Sequence, residues 1–221
     1  MSKVTITKKT TETIEIKNNN IDKKRVLKYL LLIGFIVFII IGLNWPGNDK
    51  LLKGKHMIEI NLKAYGKMEL ELDANTAPIT VTNFINLINE GFYNNLTMHR
   101  IIDGFMIQGG DPRADGTGGS ELTIKGEFNS NGINNNISHK RGVISMARSS
   151  DYNSASSQFF IVHKDSPHLD GEYAAFGTVI KGMEVVDKIV KSVSKFGNDN
   201  GLIPKEKQPI IEYIKVIEKG E

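Results

Sequence analysis

The chain has no cysteine among its 221 residues. Disulfides, thiol nucleophiles and thiolate metal sites are therefore excluded, and the fold must stand on packing alone. His99, His139, His163 and His168 show no helical ligand spacing, and without cysteine beside them they do not make a metal site. The glycine-rich stretch 116–119 lacks the Lys-Ser/Thr ending of a phosphate loop. Ser145 and Ser149 lack the strand-turn-helix setting of an activated serine, so hydrolase chemistry has no support. No metal and no cofactor is expected. Positive charge is also missing where nucleic acid would need it. The formal charge is +3, but residues 1–55 hold 11 of the 28 basic and 4 of the 25 acidic side chains. Residues 56–221 keep 17 basic and 21 acidic groups, a net of −4, which argues against a phosphate-binding surface there.

What is present divides the chain in two. At 40% hydrophobic content, 221 residues can bury one sizeable core and leave room for an appendage. Residues 29–45 read YLLLIGFIVFIIIGLNW, 17 residues without a charge, which as a helix would span roughly 26 Å. Val26, Leu27 and the stem of Lys28 extend the run, Trp45 suits a headgroup level, and Pro46 and Gly47 stop it. No small-x-small cleavage site follows Leu43, and some 25 polar residues precede the run, which favours a retained anchor over a cleaved signal peptide. Eight Lys and Arg before the run against Lys50, Lys53 and Lys55 after it place the N-terminus inside. The expected organisation is a disordered cytoplasmic tail at 1–25, a transmembrane helix at 26–45, a linker at 46–55 and a globular domain at 56–221. That domain would then lie outside the cell membrane.

Within the domain, Ile58, Ile60 and Leu62 alternate with Met57, Glu59 and Asn61, and Met68, Leu70 and Leu72 with Glu69, Glu71 and Asp73. This period of two predicts paired strands joined near Tyr65 and Gly66. Pro78 opens a stretch in which Val81, Phe84, Ile85 and Ile88 recur at helical spacing, ending near Gly91. Short apolar runs at 98–102, 105–108, 142–146, 158–162 and 175–179 predict further strands, with a second helix near 183–190 and a last strand near 210–217. The Gly- and Asn-rich section 109–140 is expected to be loosely packed loop with a functional role. Many short strands and two helices indicate a mainly β domain, a closed antiparallel barrel or a sandwich.

The run HRIIDGFMIQGGDP at 99–112 resembles the signature segment of the cyclophilins, and DGTGGSEL at 115–122 continues it. RGVISMA at 141–147, SASSQFFI at 154–161 and HLDGEYAAFGTVIKGMEVVDKI at 168–189 follow in the family's order. The resemblance covers about 56–218. It implies a closed eight-stranded antiparallel barrel capped by two helices, with a groove for proline-containing peptides on one outer face. It also implies peptidyl-prolyl cis-trans isomerase activity. The groove positions it carries over are Arg100, Phe105, Met106, Gln108, Ala147, Gln158, Phe160 and Leu169, with Arg100, Gln108 and Phe105 in the catalytic role.

Their chemistry suits that role. Arg100 can donate a hydrogen bond to a prolyl nitrogen as it becomes pyramidal, Gln108 can hold the guanidinium, and Phe105, Met106, Phe160 and Leu169 can house the ring. Three positions depart from the best-known eukaryotic members: His168 stands where they carry Trp and Tyr173 where they carry a groove His, both still expected to bind substrate, and Arg148 where they carry Asn. Losing the indole predicts weakened cyclosporin binding with isomerisation retained. The isomerase is expected to act on secreted or cell-envelope proteins. The competing class is a binding module that holds proline peptides without turnover, against which Arg100 together with Gln108 argues.

Overall fold

The computed structural model describes residues 50–217. The tail at 1–25, the span expected at 26–45 and linker residues 46–49 lie outside the described residues. Among the described residues no helix is long and apolar enough to cross a membrane. Packing begins before the expected domain boundary. Leu52 lies against the core and donates its N–H to Thr82 Oγ1 at 2.9 Å, while Gly54 N–H reaches Asn75 Oδ1 at 2.9 Å. The end of the expected linker is thus the first piece of the domain.

Eight strands form one antiparallel sheet: β1 Lys55–Leu62, β2 Gly66–Asp73, β3 Met98–Ile102, β4 Met106–Gly109, β5 Val143–Met146, β6 Phe159–Val162, β7 Ala175–Lys181 and β8 Ile211–Ile217. Two helices pack on it, α1 Pro78–Asn89 and α2 Met183–Val193. The alternation in β1 and β2 is realised: Ile58, Ile60, Leu62, Met68, Leu70 and Leu72 are all buried. Phe84 on α1 centres the main core, with Tyr93, Phe176 and Phe159 rings at 4.9, 5.1 and 5.4 Å. Such tilted and edge-on pairs add to the stabilisation from burying their area.

The expectation of a closed barrel needs correction. The strand order is β3-β4-β6-β5-β7-β2-β1-β8, a half-barrel whose end strands share no ladder. The segments leading into them meet instead, through the bridge of Thr97 with Ile210, the Met98 N–H to Pro209 O bond of 2.9 Å, and Asn95 N–H to Ile211 O and Ile211 N–H to Leu96 O at 2.8 Å each. The reason is competition for the edge of β3. Residues 201–203 occupy its middle, through Ile101 N–H to Gly201 O and Ile203 N–H to His99 O, each 2.8 Å. Strand β8 therefore touches only the start. Gly201 makes that approach feasible: its φ is +78°, and a Cβ there would sit 2.3 Å from Ile102 Cγ1.

The runs forming β4, β5 and β6 are apolar on both faces because both faces are covered. Ile107, Ile144, Met146, Phe159 and Ile161 enter the main core. Their neighbours Met106, Val143, Phe160 and Val162 turn to the opposite face, where with Leu169 and Ala175 they form a second cluster. That second face carries the site.

Section 109–140 is loop, as expected, but it is not loosely packed. Only a 3-10 turn at Asn129–Asn131 and a bridge from Ile124 to Ala155 interrupt it, yet Asp111, Glu127, Phe128, Asn135 and His139 are buried. Side-chain hydrogen bonds take the place of a ladder. Asn135 Nδ2 donates to Glu127 O and to Ala175 O at 2.8 Å each, and Asp111 accepts N–H bonds from Arg113, Asp115 and Gly116 at 2.8, 3.2 and 2.6 Å. Burial alone would raise the Asp111 carboxyl, but its backbone donors outweigh that and hold it below the ordinary 3.8.

Candidate active site

Arg100 reaches the second face through a β-bulge. The register passes from Met98 opposite Gly109 to Arg100 opposite Gln108, so His99 is the extra residue. Strict alternation would put Met98 and Arg100 on one face. With the bulge, Met98 and Ile101 enter the main core while Ile102 packs on the second cluster with Arg100 beside it.

The guanidinium is held from two sides. Its Nη1 donates to Gln108 Oε1 at 3.2 Å and its Nε to Asn200 O at 2.7 Å. Gln108 Nε2 donates in turn to Gln158 Oε1 at 2.8 Å, and Gln158 Nε2 to Gly118 O at 2.7 Å and Gly116 O at 3.1 Å. Among the described residues no acceptor engages Arg100 Nη2, whose hydrogens remain for a bound peptide. Burial lowers the guanidinium's pKa from its ordinary value, with Tyr173 opposing, and it remains a cation at physiological pH.

Beside it opens a cavity of about 480 Å³. Phe105, Met106, Phe160, Leu169, Ala147 and Tyr173 give it an apolar wall, and Arg100, Gln108, Asp115, Arg148, Asn198 and Asn200 are on its polar side. Phe105 sits on the tight turn between β3 and β4, which Gly104 permits with φ of +71°. The Phe105 carbonyl accepts from His163 N–H at 2.8 Å, pinning the turn to the end of β6. Tyr173 meets the Phe160 ring edge-on at 5.9 Å.

Of the ten residues singled out by sequence, eight line this cavity. Gln158 does not. It lines a neighbouring cavity of about 280 Å³, which shares Gln108, Gly116, Ala147 and Arg148 with the first. His168 is not a wall residue either; its ring lies against Phe105 at 5.5 Å, on the rim. Sequence reading missed the segment that carries Asn198, Asn200 and Leu202. Asn198 Oδ1 accepts from Asn200 N–H and Leu202 N–H at 3.0 Å, shaping the turn whose carbonyl holds Arg100. The Asn-Asp-Asn-Gly signal marks a turn, but nothing local says that it meets a strand 100 residues earlier. Also missed was the setting of Arg148, stacked among Tyr173, Tyr152 and Phe128 at 4.7, 4.8 and 5.2 Å and donating Nε to Glu172 O at 3.1 Å. Arg148 holds Tyr173 in place, so two of the three departures from the eukaryotic pattern are one contact.

The model for the family "Cyclophilin type peptidyl-prolyl cis-trans isomerase/CLD" matches residues 57–215. The chain belongs to the cyclophilin-type peptidyl-prolyl cis-trans isomerases. It is 42% identical over 160 residues to Peptidyl-prolyl cis-trans isomerase A of Dickeya dadantii, covering 70% of this chain and 81% of that one. It is 48% identical over 118 residues to Peptidyl-prolyl cis-trans isomerase B of Bacillus subtilis, covering 53% and 79%. A Cryptosporidium parvum cyclophilin solved in the presence of the dipeptide Ala-Pro superposes with a TM-score of 0.65 at 30% identity, covering 74% of this chain and 99% of that one. The cyclophilin half-barrel thus accounts for the described part of the chain.

Two buried histidines give this cyclophilin an acid limit. His99 has both ring nitrogens without a hydrogen-bond partner among the described residues, and His139 is equally enclosed. Burial lowers both below the ordinary 6.5, with Asp111 opposing for His99 and Asp170 for His139. A depressed folded pKa means stability that is complete above 6.5 and lost as pH falls below it. Urea unfolding is expected to show stability declining from pH 6.5 downward, by at most about 1.4 kcal/mol per pH unit for each histidine, and levelling off below its folded pKa. A flat profile between pH 7 and 5 would show that neither imidazole is held neutral.

Proposed function

We propose that the domain accelerates cis-trans isomerisation of X-Pro bonds in secreted or cell-envelope proteins by noncovalent stabilisation of the twisted amide. The observation that carries this is Arg100, held by Gln108 and Asn200 at the wall of a cavity that also presents Phe105, Met106, Phe160 and Leu169, with Nη2 unengaged. Rotation about an amide faces a barrier of roughly 18–20 kcal/mol because the nitrogen lone pair is delocalised into the carbonyl. Phe105, Met106, Phe160 and Leu169 hold the prolyl ring while the preceding carbonyl turns. As the nitrogen becomes pyramidal its lone pair localises and accepts from Arg100, an interaction stronger in the transition state than in either planar ground state. Gln108 and Gln158 keep the guanidinium in line. No proton transfer and no covalent intermediate is involved.

Exchange NMR of an X-Pro peptide with catalytic amounts of the full chain in mild detergent tests the reading. Cis and trans resonances are expected to exchange within the mixing time. Peptide binding without faster exchange would leave a proline-peptide binder instead.

The apolar run at 26–45 and the basic excess before it support a single-pass anchor with the domain outside the cell membrane. Protease added to intact cells should then digest the domain, and full protection would reverse the orientation. Cyclosporin should bind weakly, because His168 offers less apolar area than an indole on the rim by Phe105. The His168→Trp variant is expected to bind it about tenfold more tightly by calorimetry, equivalent to about 1.4 kcal/mol.

A further inference from the structure

Behind the cavity, His139 joins three parts of its wall. Its ring lies nearly parallel to Phe160, 17° between planes and 6.0 Å between centroids. Its Nδ1 meets Asp170 Oδ1 at 2.9 Å and its Nε2 meets Ser145 Oγ at 3.0 Å. A carboxylate only accepts, so Nδ1 carries the proton and Nε2 accepts from the Ser145 hydroxyl. The backbone of the same residue clasps the turn that carries Leu169. His139 N–H donates to Asp170 Oδ1 at 2.6 Å, and Ser166 N–H donates to His139 O at 2.8 Å. Strand β5, the Phe160 ring and the Asp170 end of the turn thus meet the imidazole, and the Ser166 end meets the backbone of the same residue.

We propose that His139 is a positioning residue for the isomerisation: as a neutral imidazole it locks Phe160, Leu169 and β5 into one rigid pocket wall, and its protonation loosens that wall. The proposal rests on the site reading above. Ser145 is fully buried, so the Ser-His-Asp arrangement has no access to a substrate carbonyl and serves geometry, not nucleophilic attack. A second ring proton would oblige Nε2 to donate to Ser145 Oγ, and the hydroxyl hydrogen would lose its acceptor inside a buried network.

The groups facing His139 decide when this happens. Asp170 favours the imidazolium, His168 disfavours it, and Phe160 and Ser145 are uncharged; Ser138 hydrogen-bonds Asp170. Burial is the largest influence and keeps the ring neutral at physiological pH. Because the isomerisation itself transfers no proton, an acid limb in its pH profile belongs to the protein.

The test is kcat/KM and peptide affinity of the full chain, read together by exchange NMR between about pH 5 and 8 with a peptide that does not titrate there. The wild type should lose about tenfold in kcat/KM below pH 6.5, the scale of a sub-ångström misplacement. His139→Asn keeps a donor toward Asp170 and cannot titrate; it should be about tenfold less active and lack the limb. Asp170→Asn removes the charge that favours the imidazolium, so the limb should move to lower pH. This variant, at an exposed position, carries the test where His139→Asn does not fold. A limb retained in His139→Asn, unmoved in Asp170→Asn, or abolished by His99→Gln overturns the proposal. Affinity follows the pocket even without turnover: exchange lost with affinity kept counts against the isomerase reading, and an unmoved limb counts against this one.

Discussion

Arg100→Ala is expected to lower kcat/KM for an X-Pro peptide about 100- to 1,000-fold, the range seen when one preorganised donor to developing charge is removed from an active site. The loss should fall mainly on kcat, since the apolar walls that hold the ring remain. Folding should be little affected, because the side chain lies at the cavity wall and its partners Gln108 and Asn200 keep other contacts. Arg100→Lys should recover little: a lysine lacks the planar fork that satisfies Gln108 Oε1 and Asn200 O while leaving Nη2 unengaged. Exchange NMR at saturating and sub-saturating peptide separates the two parameters. A variant that keeps more than a third of wild-type activity would remove Arg100 from the mechanism.

The largest effect on stability is expected from Glu127→Ala, at about 3–4 kcal/mol by equilibrium urea unfolding. The N-cap residue of α1 is Ala77, which has no side-chain acceptor, and Pro78 follows it. Thr76, one residue earlier, donates its hydroxyl to Asp73 Oδ2 at 3.0 Å. The missing cap comes from the long loop. The buried Glu127 carboxylate accepts from Ile79 N–H at 3.0 Å and from Thr80 N–H and Oγ1–H at 2.7 Å each. Its charge also faces the positive end of the helix. Removing it leaves two backbone donors and a hydroxyl in a buried place, and releases the loop from the helix. Glu127→Gln, which keeps one acceptor oxygen, should cost distinctly less. A change below about 1 kcal/mol would mean that water takes over the cap.

These two predictions differ in how far the sequence announces them. Arg100, Gln108 and Phe105 stand in a run whose residue types already point to a donor beside an apolar pocket, and the structure brings them together. Glu127 carries no local signal: it lies in a Gly- and Asn-rich loop and serves a helix 47 residues earlier. Tyr173 and Arg148 fall between these cases. Each is visible as a departure from the family pattern, while their stacking at 4.7 Å is visible only in space.

The sequence by itself determined the elements. Period-two alternation set β1 and β2, helical spacing set α1, and five ordered motifs set the family, because these patterns follow from local geometry and from which face is buried. Tertiary structure decided what depends on residues far apart in the chain. Competition from residues 201–203 for the edge of β3 leaves a half-barrel instead of a closed one. The bulge at His99 turns Arg100 onto the groove face, since only the pairing partner shows where a strand holds an extra residue. Loop 109–140 is packed because buried carboxylate and amide side chains satisfy its backbone and that of α1, a pairing that composition cannot reveal.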